Sequence, residues 1–344
     1  MKPLPLLLPL SWIYGVGVWV RNWLFERGFF RERHVSIPVV SVGNLSVGGT
    51  GKTPFVEYLA GMLRDSGKRV AVLSRGYRRA SKGFLVVSNG MQKCAEAIAA
   101  GDEPAQMARN LEGVIVAVDE DRVRGAKNLI EAFHPDVLLL DDGFQHRWLG
   151  RSLDVVIIPA SGLMTPVRLL PAGSWREPIS SLDRADLLVI SECETREDYA
   201  RAVERVREFG KPVIGIRKIM KGVVRVVSDE LVRPDEVKGR YAAFSGIGNP
   251  AGFERSLRQC LGSPLALEVF EDHYWYSKSD LHRLERVAKN AGATYLVTTQ
   301  KDAVRLDGVK GLAELDSRIP IVALIVSVEV IDGEEHLKEQ LEEL

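Results

Sequence analysis

From Ile37 onward the chain alternates short apolar, β-rich runs with stretches of helical period. The runs Ile37–Val42, Arg69–Ser74, Val114–Val118, Val137–Leu140, Val155–Ile158, Leu187–Ile190 and Val213–Ile216 predict strands. Several are continuously apolar, as parallel strands covered on both faces are. Strands alternating with helices imply right-handed βαβ units and a doubly wound, mostly parallel α/β sheet. After about residue 217 the texture changes: Gly222–Ser228 and Ala323–Val330 are β-branched runs expected to pair as a ribbon joining two lobes. Between them a second α/β set comprises Tyr241–Phe244, a helix around Leu281–Asn290, and Tyr295–Thr298. Residues 333–344 read as an acidic amphipathic helix, free to pack back on the first domain. The expected domains are an N-terminal helical segment 1–30, a first domain 31–220 and a smaller α/β lobe 221–332 connected by a β-ribbon hinge.

The first thirty residues differ from the rest. Leu4 to Val20 is almost entirely apolar, with Pro3, Pro5 and Pro9 near its start. Helical spacing puts Trp12, Trp19 and Trp23 on one face with Val16, and Arg21, Arg27, Arg31 and Arg33 follow. A signal peptide wants a basic start and a small-residue cleavage site, and a transmembrane helix wants about 20 unbroken apolar residues. The prolines, Ser11 and the glycines interrupt the run. An amphipathic helix lying in a membrane interface fits better, because Trp prefers the headgroup level and Arg favours anionic lipid. A helix docked on the domain is the alternative.

The 344 residues suit about two domains. A formal net charge of zero gives no global field to attract nucleic acid, which is not expected as a partner. Cys94, Cys193 and Cys260 form no CxxC pair and no metal-ligand spacing, as in a reducing compartment. No obligate protein partner is evident.

Two motifs carry chemistry. Ile37–Val42 runs into the loop Ser46, Val47, Gly48, Gly49, Thr50, Gly51, Lys52, Thr53, and a helix follows from Pro54, a favoured first-turn residue. Strand, glycine-rich loop and helix form a P-loop, whose backbone N–H groups and helix N-terminus cradle phosphates. Lys52 is expected to reach the β- and γ-phosphates of ATP, and Thr53 to ligate Mg²⁺. Ser46 stands where the usual pattern has glycine. The apolar run Val137–Leu140 ends in Asp141 and Asp142, the arrangement that holds an acid near the P-loop threonine for Mg²⁺. Successive residues of a strand face opposite ways, so the two acids are expected to have different tasks. Glu177 is a weaker third acid for the metal, with a salt bridge as its alternative. The fold class is therefore an α/β fold of the P-loop NTPase type.

These motifs, together with Ser74-Arg75-Gly76-Tyr77, Gly101-Asp102-Glu103-Pro104, Asp141-Asp142-Gly143-Phe144-Gln145-His146, Phe244 to Pro250, Asp272 to Tyr276 and Lys301 to Val304, resemble the tetraacyldisaccharide 4′-kinases of lipid A synthesis. The matches run from the N-terminal helix to about residue 306. The resemblance implies ATP-dependent phosphorylation of the 4′-hydroxyl of a tetraacylated disaccharide 1-phosphate, giving lipid IVA. It also implies a two-lobed enzyme attached by its N-terminal helix to the cytoplasmic face of the bacterial inner membrane, with the acylated disaccharide lipid and that surface as its partners. Three positions depart from the family pattern: Gln300 stands for a common glutamate, Arg78-Arg79 for smaller residues, and Tyr274 for a second histidine.

A sugar hydroxyl needs a base, and Asp102, before the helix-restricting Pro104, is the candidate carboxylate. An N-cap aspartate is its structural alternative. The family pattern suggests that His273 pairs with Asp102 and tunes it. Lys52, Mg²⁺ and Asp141 are expected to neutralise charge on the transferring phosphoryl, and Asp142 to orient the metal's waters or the substrate. Asn44, Arg75, Tyr77, Arg122 and Gln145 are candidates for holding the anionic disaccharide, arginine because its planar fork suits phosphate. Two other classes compete: a P-loop switch ATPase or GTPase, and a kinase of a soluble metabolite. Val47 where partitioning ATPases carry lysine, and the lack of Asn-Lys-x-Asp, argue against the switch. The Trp-rich helix argues against the soluble-metabolite kinase.

Overall fold

The computed structural model describes residues 5–344; Pro3 and Leu4 of the apolar N-terminal run lie outside the described residues. In chain order the strands are β1 (Val39–Asn44), β2 (Val70–Ser74), β3 (Leu85–Asn89), β4 (Ile115–Val118), β5 (Val137–Asp141), β6 (Leu153–Pro159) and β7 (Leu187–Ser191). Then follow β8 (Val213–Arg225), β9 (Leu231–Val232), β10 (Tyr241–Ser245), β11 (Ala266–Val269), β12 (Tyr295–Thr299) and β13 (Ile321–Asp332). They form one sheet in the order β11-β10-β12-β13-β8-β7-β6-β1-β5-β2-β4-β3, with β9 beside β8. Pairing is parallel except at β3/β4, β8/β9 and β8/β13. The mostly parallel α/β sheet expected from the alternation is the one observed.

Three expectations shift. β1 starts at Val39 and continues through Asn44, because Gly43 and Asn44 still pair with Val156 and Ile157 of β6. The strand at Val213 and the ribbon run at Gly222 are one strand, β8, paired antiparallel with β13 from Gly215↔Asp332 to Arg225↔Val322. A register shift between Ile325 and Val326 places a bulge at Lys221, which broke the apparent alternation. β3 and β11, at the two edges of the sheet, were not foreseen.

Helix ends follow local chemistry. Asp121 caps the helix Arg122–Phe133 by accepting from the N–H groups of Val123 and Arg124. Ser277 and Asp280 form a capping box for Lys278–Ala291, which stops at left-handed Gly292. Buried side chains gather on both faces of the first strands: Val40 and Val42 with Phe55 and Leu59 on one, Val39 and Leu138 with Val123 and Leu129 on the other. The C-terminal helix Glu334–Glu342 adds Leu337 and Leu341 to the group around Phe55. Separate groups form around β10, β12 and β13, including Phe244 with Leu284 and Tyr241 with Leu257.

The N-terminal helix, Leu8–Glu26, is docked along one side and bare along the other. Ser11, Val18 and Phe25 are buried, while Trp12, Val16 and Trp19 are 78%, 61% and 65% exposed. Ser11 donates to the carbonyl of Leu169 at 2.9 Å, and Tyr14 to that of Arg176 at 2.9 Å. The segment thus packs on the domain along one side and leaves an apolar, Trp-bearing face exposed along the other. Among the described residues no helix is long and apolar enough to cross a membrane.

Candidate active site

The parallel strands β1, β2 and β5 end together at Asn44, Ser74 and Asp141, the carboxyl edge where open α/β sheets carry their sites. Asn44, expected to touch substrate, is instead fully buried. Its amide donates to the carbonyl of Ser46 at 2.6 Å and to the Thr50 hydroxyl at 3.0 Å, and so sets the shape of the glycine-rich loop. Ser46 makes an antiparallel bridge with Trp175, and Val47 N–H donates to the carbonyl of Ser174 at 2.7 Å. Ser46 is not among the residues of positive φ, which explains why this position does without glycine. Positive φ is needed at Gly48 (119°) and Gly51 (88°). The helix begins at Lys52, two residues before Pro54, with Gly51 as its N-cap, so its first free N–H groups open on the loop.

Lys52 Nζ lies 3.4 Å from Asp142 Oδ1, and Arg176 Nη1 donates to both oxygens of Asp142 at 3.1 and 2.9 Å. Burial pushes the Asp142 carboxyl up, but the charges of Lys52 and Arg176 outweigh it and hold it below the ordinary range. Asp142 also sits in the left-handed region at φ 53°, so its side chain departs from the strand direction kept by Asp141. Asp141 is buried; its Oδ2 accepts from the Ser74 hydroxyl at 2.9 Å and its Oδ1 has no partner. Burial, then the charges of Glu103 and Asp142, push its carboxyl above the usual range. An orphaned, buried carboxylate oxygen on the strand paired with β1, together with the Thr53 hydroxyl, is a hard-oxygen donor set that fits Mg²⁺. Among the described residues no three His, Cys, Asp or Glu side chains gather as a metal cage, and Mg²⁺ needs only one or two carboxylates plus phosphate and water.

Glu177 does not join this cluster. It is fully buried and its Oε2 accepts from Asn22 at 3.1 Å, Ser181 at 3.1 Å and Arg184 at 3.0 Å, while Arg21 lies 3.0 Å from Oε1. The expectation of a third metal acid is corrected: these cations and donors spend the carboxylate on holding the N-terminal helix. Its neighbour Arg176 is the residue that reaches Asp142.

Asp102 is the first residue of the helix Asp102–Asn110, whose N-cap is Gly101, so it is not an N-cap. His273 Nδ1 lies 2.9 Å from Asp102 Oδ2. Arg305, buried, donates to the same oxygen through Nε at 3.1 Å and through Nη2. Burial pushes Asp102 up, yet the hydrogen bond from His273 and the charge of Arg305 carry it well below the usual carboxylate range. His273 is held at φ 63° by its N–H donating to the carbonyl of Gly246 at 3.0 Å. The other imidazole nitrogen, Nε2, is 3.9 Å from Asp272 Oδ1. Tyr77 is 57% exposed and meets the His273 ring edge-on at 5.6 Å.

Arg122 is buried, with one nitrogen donating to the carbonyl of Glu120 at 3.1 Å and Nε unpartnered. Burial, then the nearby charge of Arg75, lowers its pKa, a field that an anion would relieve. Gln145 donates to the carbonyl of Asn44 at 2.9 Å and accepts from Arg176 at 3.4 Å, which ties it to the loop.

Sequence reasoning missed Arg176, Arg305, Glu57 and Glu103. Arg305 follows directly on the recognised Lys301–Val304 run, and its spacing of three from Asp302 is the available signal (Nη1 to Asp302 Oδ1, 3.1 Å). Lys301 pairs with Glu103. Burial pushes Glu57 up to about 7; it accepts from Gln106 and from Asn110, each at 3.0 Å. Asn110 Oδ1 in turn accepts from Gln300 at 2.8 Å, which accounts for glutamine at that position, since a carboxylate would face an acceptor.

The chain is also similar to known proteins. A family model described as tetraacyldisaccharide-1-P 4′-kinase matches residues 4–344. Tetraacyldisaccharide 4′-kinase of Chlorobium phaeovibrioides is 39% identical over 100% of this chain and 98% of its own. That of Chlorobaculum parvum is 38% identical over 98% and 93%. A crystal structure of LpxK from Aquifex aeolicus in complex with ATP superposes with a TM-score of 0.80 at 36% identity, covering 98% of each chain.

Proposed function

We propose, on the premise that this chain belongs to the tetraacyldisaccharide-1-P 4′-kinase family, a residue-level account of the family's reaction. The protein is a kinase that transfers phosphate from ATP to the 4′-hydroxyl of a tetraacyldisaccharide 1-phosphate in lipid A biosynthesis. The loop from Ser46 to Thr53 cradles the triphosphate, with Lys52 on the transferring group. Thr53 and Asp141 would hold Mg²⁺, which would supply positive charge against the phosphates in transfer. Asp142, held between Lys52 and Arg176, keeps both cations aimed at the phosphates. Arg75 and Arg122 offer the cationic surface for the substrate's own phosphate.

Asp102 and His273 act as a pair. The sequence suggests the carboxylate as proton acceptor, but one observation favours the imidazole: Arg305 and His273 both bond Asp102 Oδ2. A carboxylate so stabilised is a weak base. In this reading Asp102 fixes the ring through Nδ1–H, and Nε2 takes the hydroxyl proton as the sugar oxygen attacks the γ-phosphorus and ADP leaves. The smaller lobe, 221–332, brings His273 to Asp102 of the first domain, 31–220, so the pair is complete only when the two are together. The helix in 1–30 rests at the cytoplasmic face of the inner membrane, peripheral to it. Its bare Trp face and a groove of about 430 Å³ beside Trp12, Trp19 and Leu169 suit acyl chains.

The test is transfer of label from γ-labelled ATP to tetraacyldisaccharide 1-phosphate in detergent micelles, for wild type, His273→Ala and Asp102→Asn. The expected result is bisphosphorylated lipid from wild type and a loss of about 10²-fold or more in His273→Ala. Turnover of His273→Ala within a factor of about two of wild type would remove the base.

A further inference from the structure

We propose that Lys218 is a second phosphate-binding lysine of the nucleotide site, delivered by strand β8 across the sheet rather than by the glycine-rich loop. The inference rests on the reading of that loop as the ATP site.

The placement follows from strand geometry. β8 pairs with β7 only through Gly215 and then runs on, paired with β13, past the carboxyl ends of its parallel neighbours. That is the edge on which the loop sits, and the Ser191 hydroxyl at the end of β7 donates to the Thr50 carbonyl at 2.8 Å. Alternate residues of a strand share a face. Ile214 and Ile216 lie in the buried group with Phe55, Val56 and Leu59 of the helix that begins at Lys52. Lys218 is the next residue on that face, one step beyond the core and over the helix N-terminus. Its Cε lies 3.6 Å from where a Cβ on Gly51 would stand. The aliphatic stem therefore rests against the loop residue immediately before Lys52.

The charge environment points the same way. Among the described residues Lys218 has no hydrogen-bond or ion-pair partner; the charges that bear on it are Glu192, which favours its ammonium, and Lys301, which opposes it. The side chain of Lys218 is exposed to solvent, and the protein packed along its stem, then Lys301, lowers its pKa. An exposed lysine whose stem rests on the glycine-rich loop and whose ammonium is unpaired is a cation placed where an anion is to arrive. Because β8 also leads into the β10–β12 part of the sheet, the same contact lets the nucleotide touch the strand that joins the two core regions.

The experiment compares the full-length protein with Lys218→Ala, Lys218→Met and Lys218→Arg, measuring equilibrium binding of Mg²⁺-ATP and steady-state kinetics with tetraacyldisaccharide 1-phosphate in micelles. Loss of one charge-assisted contact predicts ATP binding and kcat/KM for ATP down by roughly 10-fold or more in both the alanine and methionine variants. The arginine variant should remain within about threefold of wild type, and KM for the lipid should be unchanged. Wild-type-like ATP binding in Lys218→Ala would overturn the proposal. Loss in Lys218→Ala with retention in Lys218→Met would also overturn it, since the stem and not the charge would then matter. A wild-type protein that fails to bind ATP would defeat the underlying reading of the loop instead.

Discussion

Replacing Arg305 with methionine removes a guanidinium while keeping an unbranched side chain. Arg305 is 1% exposed. It serves Asp102 through Nε and Nη2, Asp302 through Nη1 at 3.1 Å, and the Gly246 carbonyl through Nη1 at 2.6 Å. Methionine satisfies none of these, and two buried carboxylates lose their shared cation. Removing one partner of a buried ion pair costs about 3–5 kcal/mol. The sign with pH follows from Asp102. Its folded pKa is depressed, so its contribution is present above its unfolded value near 4 and is lost as pH falls through the lower folded value. In the variant, burial acts with less opposition and raises both carboxyls, a penalty largest at high pH and relieved as they protonate. The gap between wild type and variant is therefore widest at alkaline pH and narrows with acidification. Urea unfolding at pH 8 and pH 5 measures it, with the midpoint read against a common slope. A loss under about 1 kcal/mol at pH 8 would refute the reasoning, because it would mean Asp102 and Asp302 find other partners.

Three further outcomes are expected. Glu177→Gln should leave the Mg²⁺ dependence of turnover unchanged while lowering stability by about 1–3 kcal/mol, since it unpairs Arg184 and Arg21; a shifted Mg²⁺ requirement would return Glu177 to the metal site. Asp141→Asn should cost turnover about 10²-fold or more, and excess Mg²⁺ should recover part of it, read by titrating the metal at fixed ATP. Trp12→Ser with Trp19→Ser should reduce sedimentation with anionic phospholipid vesicles but leave ATP binding intact; undiminished sedimentation would locate the attachment elsewhere.

Much of the fold was legible because parallel strands advertise themselves. Val137–Asp141 is buried at every position, and no period other than a continuous apolar run fits such a strand. β3 and β11 escaped because edge strands are only half covered: Leu85 and Ala266 are partly exposed, and their runs read as loop. The ribbon was seen in two pieces because the extra residue at Lys221 resets the two-residue alternation. In the site, the loop and the two aspartates were readable from spacing alone. Arg305 and Arg176 were not, because their partners lie 203 and 34 residues away and no local pattern encodes such distances. Glu177 was misread for the same reason: its partner Asn22 lies 155 residues earlier. Asn44 was misread because a motif marks a residue as belonging to a loop without telling whether it faces the ligand or ties the loop together.

Arg176 and Glu177 are joined by a single peptide unit, yet one holds Asp142 and the other holds Asn22 and Arg21 of the N-terminal helix, whose Tyr14 also grips the Arg176 carbonyl. In mechanical terms the helix and the Lys52–Asp142–Arg176 cluster share one pivot. A tilt of the helix would reach Asp142 through two adjacent side chains, with no intervening loop to absorb it.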